Sequence, residues 1–515
     1  MSEKTTPQST DTTTSAPEDQ QDLASRVNNR SQRPTNAAFR EFIAQGWNDE
    51  VPAAERREVA DATPARRDAL VGALPATRMV LPAGVFKVRS NDTDYQFRPH
   101  TSFAYYSGLG TDEEPDSVFV VEPSADDPAV SEATYFFKPR SGRDTSEFYA
   151  DARYGELWVG RRPTLEEVEA QIGVPCRHID ELRDALAKDV GPDLNLAVVE
   201  GVDPSVDQLV REIREQNGLG VDEEASEVHA LLQQTASESR LVKDDFEISQ
   251  MRLAVDTTIR GFHEVVKNFP EAVAHERGER VVETVFNRTA RADGNGVGYD
   301  TIAAAGPHAC TLHWIRNDGP VKDGDLILID AGVEVDSLYT ADVTRTLPVN
   351  GKFSDAQREV YQAVLDAADA AFAFAKPGVK FRDVHAAAME VIAARLEGWG
   401  MLPGTAAESL APDGQFHRRW MVHGTSHHLG MDVHDCAQAR RDMYLDAELE
   451  PGMVFTIEPG LYFMENDLLV PERFRGIGVR IEDDILVTTD GVENLSKALP
   501  REIDAIEAWM ARVLA

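Results

Sequence analysis

The hydrophobic and polar positions divide the chain into regions of different character. Residues 1–34 are rich in Ser, Thr, Pro, Gln and Asp and hold few apolar side chains. This composition predicts a disordered tail, because such a segment cannot bury a core. Apolar residues first recur at helical spacing in the segment AAFREFIAQGW. Ordered structure is therefore expected from about residue 35 onwards.

The region between Arg67 and Cys176 alternates between two patterns. Strand-like runs such as ATRMVLPAGVFKV, SVFVVEP and ATYFFKP are separated by helical stretches such as TLEEVEAQIG. This alternation predicts an α/β domain whose strands are joined by helical crossovers. We assign residues 35–240 to this N-terminal domain.

A second domain, residues 241–515, is expected to follow. The segment SESRLVKDDFEISQMRLAVDTTIRGFHEVV has the periodicity of one long amphipathic helix that opens this domain. The strand-like runs DLILIDAGVEV, MVFTIEPGLY and GIGVRIEDDILVT come after it, separated by helical stretches such as SDAQREVYQAVLDAADAAFAFA. Histidines and apolar-flanked carboxylates gather in this half of the chain, so the chemistry is expected there.

Composition narrows the possible functions. Among 515 residues, 89 Asp and Glu outweigh 52 Lys and Arg, giving a formal net charge of −37, and 42% of the residues are hydrophobic. The hydrophobic fraction excludes global disorder, and the acidity argues against binding nucleic acid or an anionic membrane. Three widely spaced cysteines argue against disulfides or a thiolate zinc site. Without a signal peptide or an apolar run of about 18 residues, a cytoplasmic protein is expected.

Two aspartates mark a possible metal site in the run DLILIDAGVEVDSLYTADVTRTLPV. An apolar strand leads into Asp330, and the chain turns near Asp336. If the turn is symmetric about Asp336, Asp330 and Asp342 lie directly opposite each other, with Cβ atoms about 4.5–5.5 Å apart. A solvated or salt-bridged surface pair is the alternative. Asp330 ends an apolar run, however, and a buried carboxylate without a partner is unfavourable, so a metal ion is an equally good interpretation.

Three further segments carry candidate ligands. Glu458 ends the strand MVFTI before a Pro-Gly turn, and the alternation in GVRIEDDILV places Arg480 and Glu482 on one strand face. The segment MVHGTSHHLGMDVHDC holds four histidines: His423, His427, His428 and His434. The zinc-hydrolase motif HExxH is absent, which favours a site rich in carboxylates.

Together these segments predict a cage for two divalent metal ions. Four carboxylates, those of Asp330, Asp342, Glu458 and Glu482, would balance the two cations, and one histidine would complete the set. Oxygen ligands with a single imidazole suit Mn²⁺, or Mg²⁺, Co²⁺ or Zn²⁺, better than copper or iron–sulfur clusters. Two ions about 3.5–4 Å apart can activate a bridging water and polarise a carbonyl, which indicates hydrolysis.

The ordered motifs LIDAG, ADVTRT, HGTSHHLGMDVHD, TIEPGLY and GVRIEDD resemble those of the metal-dependent creatinase/aminopeptidase family, metallopeptidase family M24. The resemblance extends to the N-terminal half through FRPHTSFAYYSGL and SRLVKDDFEISQMR. It implies an α/β N-terminal domain followed by an α+β catalytic domain with the pita-bread fold. It also implies an aminopeptidase that releases the first residue from peptides with proline at position 2, by attack of a hydroxide that bridges two ions, with Mn²⁺ favoured.

The resemblance assigns a role to each candidate metal ligand. Asp330 would chelate one ion, and His427 and Glu458 would hold the other. Asp342 and Glu482 would bridge the two ions. Glu458 would also act as general base and then as general acid.

Substrate-side roles follow from the same resemblance. His313 (in CTLHW), His423 and His434 would line the substrate site, with His434 contacting the scissile carbonyl. Arg480 would orient Glu482 without binding a metal ion itself.

Two other functions stay open at this point. Prolidase shares the fold and the ligands but cleaves only Xaa-Pro dipeptides. A non-catalytic binding module on the same fold is the other, although such modules typically lose metal ligands. Members of the family are commonly dimers or tetramers, so we expect a homodimer or homotetramer whose partners are proline-containing peptides.

Overall fold

The computed structural model describes residues 34, 36–48, 50, 53–111 and 115–515. The predicted disordered tail lies outside the described residues, except for Pro34. The predicted first helix spans Ala37–Ile43, and it begins where the Asn36 side chain accepts a hydrogen bond from the Phe39 amide at 2.8 Å. No helix within these ranges has both the length and the apolar character needed to cross a membrane.

A mixed sheet of five strands forms the centre of the N-terminal region. Its strands are β1 (Thr77–Pro82), β4 (Val118–Pro123), β5 (Ser131–Phe137), β6 (Cys176–His178) and β7 (Asn195–Val198), and a separate hairpin holds β2 (Val88–Ser90) and β3 (Thr93–Asp94). The spatial order is β6-β5-β4-β1-β7. The pairs β1–β7 and β5–β6 are parallel, whereas β1–β4 and β4–β5 are antiparallel. The expected helical crossovers are therefore wrong for β4 and β5, which a short loop without a helix connects.

The helices of this region are Thr63–Ala73, Thr101–Ser107, Ser146–Ala150, Glu156–Val159, Leu165–Ile172, Leu182–Ala187, Pro204–Gln216 and Glu223–Glu238. Alternate residues of β1 point to opposite faces. Val80 packs in one core cluster with Leu186 and Val210, and Met79 packs in the larger cluster with Leu70. Burial on both faces explains why the run TRMVLP is continuously buried instead of alternating.

The helix predicted at the domain boundary is interrupted. One helix ends at Glu238 and the next spans Asp245–Lys267, so the prediction of a single long helix here is wrong. The Asp244 carboxylate accepts a hydrogen bond from the Glu247 amide at 2.9 Å, and the Glu247 carboxylate accepts one from the Asp244 amide at 3.0 Å. This reciprocal capping box starts the second helix and is visible in the letters DDFE.

Two three-stranded antiparallel sheets form the centre of the C-terminal region. The first contains β9 (Ile302–Ala305), β10 (Leu326–Ala331) and β12 (Val343–Pro348), and the second contains β13 (Val454–Ile457), β16 (Asp483–Val487) and β17 (Val492–Asn494). Short pairs join β8 (Gly296–Val297) to β11 (Val333–Glu334) and β14 (Gly460–Tyr462) to β15 (Gly478–Arg480). The sheets meet where the Glu482 amide donates to the Thr344 carbonyl at 3.1 Å.

Helices pack around these sheets: Asp245–Lys267, Phe269–Ala274, Gly278–Asp293, Asp355–Phe374, Phe381–Gly398, Ala406–Leu410 and Ile503–Leu514. Short 3₁₀ turns lie at Glu58–Asp61, Ile179–Glu181, Gly306–Cys310, Phe416–Arg419 and Glu472–Phe474. All six residues of β10 are buried. Asp330, the fifth of these six residues, is therefore positioned by a buried strand.

A buried ion pair ties β12 to the second sheet. Arg345 is 0% exposed, and its guanidinium donates to the Asp483 carboxylate at 2.6 Å and to the Glu482 carbonyl at 2.6 Å. Burial alone would raise the pKa of Asp483, but the charge of Arg345 outweighs it and lowers that pKa below the usual value. Each partner thus offsets part of the unfavourable burial of the other, and the Ser496 hydroxyl also donates to Asp483 at 2.6 Å.

Replacing this arginine tests the importance of the pair. Arg345→Met should lower the free energy of unfolding by about 3–5 kcal/mol, because Asp483 would stay buried without its nearest cation, with Arg501 3.8 Å away. Arg252→Met is the matched control, since Arg252 pairs with Glu493 at the surface, where an ion pair contributes under about 1 kcal/mol. Urea unfolding followed by circular dichroism measures both variants. Equal losses in the two variants would contradict the prediction.

Candidate active site

The two candidate aspartates lie on one sheet face, but their pairing differs from the prediction. Asp330 is opposite Thr344, so the expectation that Asp330 and Asp342 are directly opposed is wrong. The loop between the strands has three residues, 336–338, with Leu338 at a φ of 72°, and such a loop is centred one residue later than assumed. The residue opposite Asp330 is therefore Thr344, two positions beyond Asp342. Because side chains alternate between the two faces of a strand, Asp330 and Asp342 still lie on the same face of the sheet.

Tyr299 links the two carboxylates. Its hydroxyl lies 2.7 Å from Asp330 Oδ1 and 2.5 Å from Asp342 Oδ1. Burial is the largest cause that raises the pKa of Tyr299 well above its usual value, and the charges of the two aspartates raise it further. The phenol therefore stays neutral. A phenol has one hydrogen, so it donates to one carboxylate at a time.

A compact cluster of donor atoms lies beside this pair. Asp342, His427 and Glu482 each present a possible metal-ligand atom, and these atoms lie within 4.8 Å of one another. His427 Nε2 is 3.3 Å from Asp342 Oδ2 and 3.5 Å from Glu458 Oε1. The other ring nitrogen, Nδ1, faces the His428 carbonyl at 3.1 Å. This contact orients Nε2 towards the carboxylates, as a metal-binding histidine requires.

The clustered carboxylates shift one another's protonation. Burial is the largest cause in each case, and it raises the pKa of Asp330, raises that of Glu482 well above the usual range, and raises that of Glu458 to about 7. Burial lowers the pKa of His427, but the contacts with Asp342 and Glu458 raise it to about 9. The negative charge of the clustered carboxylates therefore exceeds the positive charge that His427 can supply, and such an excess favours the binding of a cation.

Arg480 supports this cluster from one side. Its Nη2 contacts Asp330 Oδ2, and its Nε donates to Thr344 Oγ1 at 3.1 Å. The Thr344 hydroxyl in turn donates to Glu482 Oε2 at 2.7 Å. The hydrogen-bonded path from Arg480 to Glu482 thus runs through Thr344, and the direct contact is with Asp330. Arg480 Nη1 also donates to the Tyr462 hydroxyl at 3.1 Å.

His423 and His313 border the same space as the carboxylates. His423 Nε2 lies 2.8 Å from the Tyr462 hydroxyl, and His423 Nδ1 lies 3.6 Å from Glu458 Oε2. Burial lowers the pKa of His423 to about 3, so its imidazole is neutral at physiological pH. His313 also lines the cleft and is exposed.

The two remaining histidines of the cluster have different environments. The His434 ring is exposed at the cleft and meets the His427 ring edge-on, with centroids 4.6 Å apart. His428 is 0% exposed and stacks on Phe381 with ring centroids 4.7 Å apart. His428 therefore belongs to the aromatic core and not to the cleft.

The nine residues to which the resemblance assigned a role all line one cleft of about 360 Å³: His313, Asp330, Asp342, His423, His427, His434, Glu458, Arg480 and Glu482. Three supporting residues were not predicted. Thr344 stands two residues after Asp342, so strand alternation could have found it, and Tyr462 lies in the motif IEPGLY. Tyr299 lies in no motif and is brought in only by the fold.

The fold and the cleft define a two-domain protein with a carboxylate-rich centre for divalent metal ions. Residues 249–489 match the family model described as "Metallopeptidase family M24", and residues 64–196 match "Aminopeptidase P, N-terminal domain". The chain belongs to metallopeptidase family M24. The resemblance seen in the motifs is thereby confirmed.

Similar proteins span almost the whole chain. Xaa-Pro aminopeptidase 1 of Streptomyces coelicolor is 49% identical over 472 residues, covering 92% of this chain and 91% of that protein. Xaa-Pro aminopeptidase 2 of the same organism is 46% identical over 495 residues, covering 95% and 99%. A variant of Escherichia coli aminopeptidase P in complex with substrate matches the structure with a TM-score of 0.76 and 30% identity, covering 89% of this chain and 99% of that one. The α/β N-terminal domain followed by a pita-bread catalytic domain is thus confirmed.

Removing one central carboxylate tests the metal centre. Asp342→Asn should weaken Mn²⁺ binding by about 100-fold or more, because the amide lacks the charge that the cation requires. Asp336→Asn, on the exposed turn of the same hairpin, is the matched control and should bind normally. Elemental analysis after dialysis against Mn²⁺ measures the bound metal, and circular dichroism checks the fold. Equal metal content in the two variants would contradict the prediction.

Proposed function

We propose that this chain is an Xaa-Pro aminopeptidase, which releases the N-terminal residue from peptides with proline at position 2. The observation that carries the proposal is the convergence of four carboxylates, three cleft histidines beside His427, and Arg480 on one cleft. Relatives of that name at 46–49% identity over more than nine-tenths of the chain support it. Proline lacks an amide hydrogen and has a fixed φ, so peptidases that grip an extended backbone handle it poorly.

The proposal includes two divalent ions at the centre, with Mn²⁺ favoured. The donor set fits such ions, because Asp330, Asp342, Glu458 and Glu482 offer hard oxygen atoms and His427 offers one nitrogen. Asp330 would hold one ion, and His427 and Glu458 the other. Asp342 and Glu482 would contact both. The raised pKa values of Glu458 and Glu482 support this assignment, since they arise first from burial and then from the neighbouring aspartates, and an added cation would offset both effects.

The ions, when bound, would polarise the carbonyl of the first residue and acidify a water molecule. Glu458 lies 3.5 Å from His427 Nε2 and 3.6 Å from His423 Nδ1, at the edge of the cleft. From there its carboxylate can take a proton from the attacking water and return it to the departing proline nitrogen. His434 faces the open side and would donate a hydrogen bond to the carbonyl oxygen as negative charge develops on it.

The proposal extends to a cytoplasmic location and a homodimer or homotetramer. All three cysteines are free thiols, which suits a reducing compartment. Cell fractionation and light scattering on the purified protein test these two points separately from the activity.

The substrate class is tested with short peptides. The Mn²⁺-loaded protein should release arginine from Arg-Pro-Pro and leave the matched peptide Arg-Ala-Pro intact, because the site is proposed to require proline at position 2. Cleavage of Arg-Pro but not of Arg-Pro-Pro would show a prolidase instead. No cleavage of either peptide, together with no bound metal, would indicate a non-catalytic binding module. Chromatographic separation of the products measures release.

A histidine variant tests the mechanism. His434→Ala should lower kcat by about 10²–10³-fold, the loss expected when a donor to the developing oxyanion is removed. Mn²⁺ content should stay unchanged, because His434 is not a proposed ligand. His275→Ala, at an exposed position outside the cleft, is the matched control. A rise in KM with unchanged kcat would contradict the role, since it would indicate ground-state binding only.

A further inference from the structure

The segment 430–436 carries His434, and its backbone determines where that imidazole points. Among the described residues, the His434 ring contacts the His427 ring and makes no hydrogen bond that would fix its own orientation. Its position in the cleft therefore depends on how firmly the neighbouring backbone is held. The contacts of this segment come largely from outside the catalytic sheets.

The N-terminal domain holds the segment on the side before His434. The Thr101 hydroxyl, at the start of the helix Thr101–Ser107, donates to Asp432 Oδ1 at 2.6 Å. Arg98 donates through Nη2 to the Met431 carbonyl at 2.7 Å and through Nε to a Glu334 carboxylate oxygen at 2.6 Å. Thr101 is 5% exposed, whereas the Asp432 side chain is 39% exposed, so the donor of this hydrogen bond is buried and the acceptor is half-buried. A hydrogen bond to a charged acceptor is stronger than a neutral one.

The boundary region holds the segment on the side after His434. Arg240 Nε donates to Asp435 Oδ1 at 2.9 Å, and Lys243 Nζ donates to Asp435 Oδ2 at 3.3 Å. Asp435 is 1% exposed. Arg240 Nη2 also lies 3.5 Å from Asp432 Oδ2, so one guanidinium contacts both aspartates that flank the histidine. The loop is thus fixed at both ends, with Arg240 contacting Asp432 and Asp435 and the Thr101 hydroxyl contacting Asp432.

We propose that Thr101, assisted by Arg98, is a positioning residue for His434. The N-terminal domain orients the imidazole that faces the scissile carbonyl, by holding the Asp432 carboxylate two residues before it. This inference rests on the proposed aminopeptidase function for its kinetic consequence, but the mechanical link between Thr101 and the loop exists independently of any reaction.

The kinetic test uses an isosteric variant. Thr101→Val removes the donor and keeps the side-chain volume, so kcat on Arg-Pro-Pro should fall by about five- to tenfold while KM changes by less than about twofold. Thr101→Ser keeps the hydroxyl donor, so its kcat should be close to that of the wild type. Thr111→Val is the matched control, because Thr111 makes a contact between the same two regions, with the Asp336 carbonyl at 3.3 Å, on the turn and not on the His434 segment. Equal kcat losses for Thr101→Val and Thr111→Val would overturn the proposal.

A double-mutant cycle separates positioning from general damage. In the His434→Ala background, Thr101→Val should cause no further loss of kcat, because the group that it positions is already gone. A full five- to tenfold additional loss would show that Thr101 acts by another route and would overturn the proposal.

Hydrogen exchange tests the mechanical link without activity. In metal-free protein, peptides that cover residues 430–436 should exchange faster in Thr101→Val than in the wild type or in Thr111→Val, as measured by mass spectrometry. Unchanged exchange in Thr101→Val would overturn the proposal. If the wild-type protein cleaves no Xaa-Pro peptide, the function fails, and the exchange result still decides whether Thr101 holds the loop.

Discussion

Electrostatic repulsion among four carboxylates in one cleft is the constraint on which the rest of the structure depends. Asp330, Asp342, Glu458 and Glu482 come from separate strands and strand ends and line one cleft. Glu458 is half-buried and the other three are buried, so little water is available to stabilise their charges. Isolated charges in such a place are strongly unfavourable. The surrounding fold therefore has to hold the strands together against this repulsion, and it does so with a small number of fixed donors.

Each of the four carboxylates has a donor among the described residues, and for Glu458 this donor is the Thr456 hydroxyl at 3.4 Å. Tyr299 serves Asp330 and Asp342, and Thr344 connects Arg480 to Glu482. Behind this layer, Arg345 fixes the Asp483 carboxylate and the Glu482 carbonyl. The result is a rigid, preorganised donor set that still carries surplus negative charge, and a divalent cation is the natural complement to such a set.

The N-terminal domain contacts the catalytic domain close to the candidate active site. Its contacts reach the loop that carries His434, through Thr101 and Arg98, and the buried Arg66 reaches Asp244 at the start of the helix that leads into the catalytic domain. A catalytic group on a loop needs support from packed neighbours to keep its geometry. Here that support crosses the boundary between the two regions.

Local features of the fold and of the site could be predicted from the sequence. Features that depend on loop geometry or on contacts between distant segments could not. The proposed ligand residues could be read because each lies in a recognisable motif, and four of them lie within or next to a short apolar strand. The register of the Asp330 hairpin could not, because it depends on a three-residue loop with Leu338 at positive φ, and a residue of this type rarely signals that conformation. The break before Asp245 was readable in DDFE, but it was obscured by the apolar periodicity on both sides.

By itself, the sequence determined which residue types were available, their order along the chain and the family to which the chain belongs. Only the tertiary structure decided that Tyr299 lies between two aspartates, that Arg480 contacts Asp330 directly, and that His428 packs in the core while His427 faces the cleft. The physical reason is the distance along the chain over which each effect acts. Periodicity and capping act over a few residues, whereas the position of a side chain in the cleft results from the packing of strands that are more than a hundred residues apart.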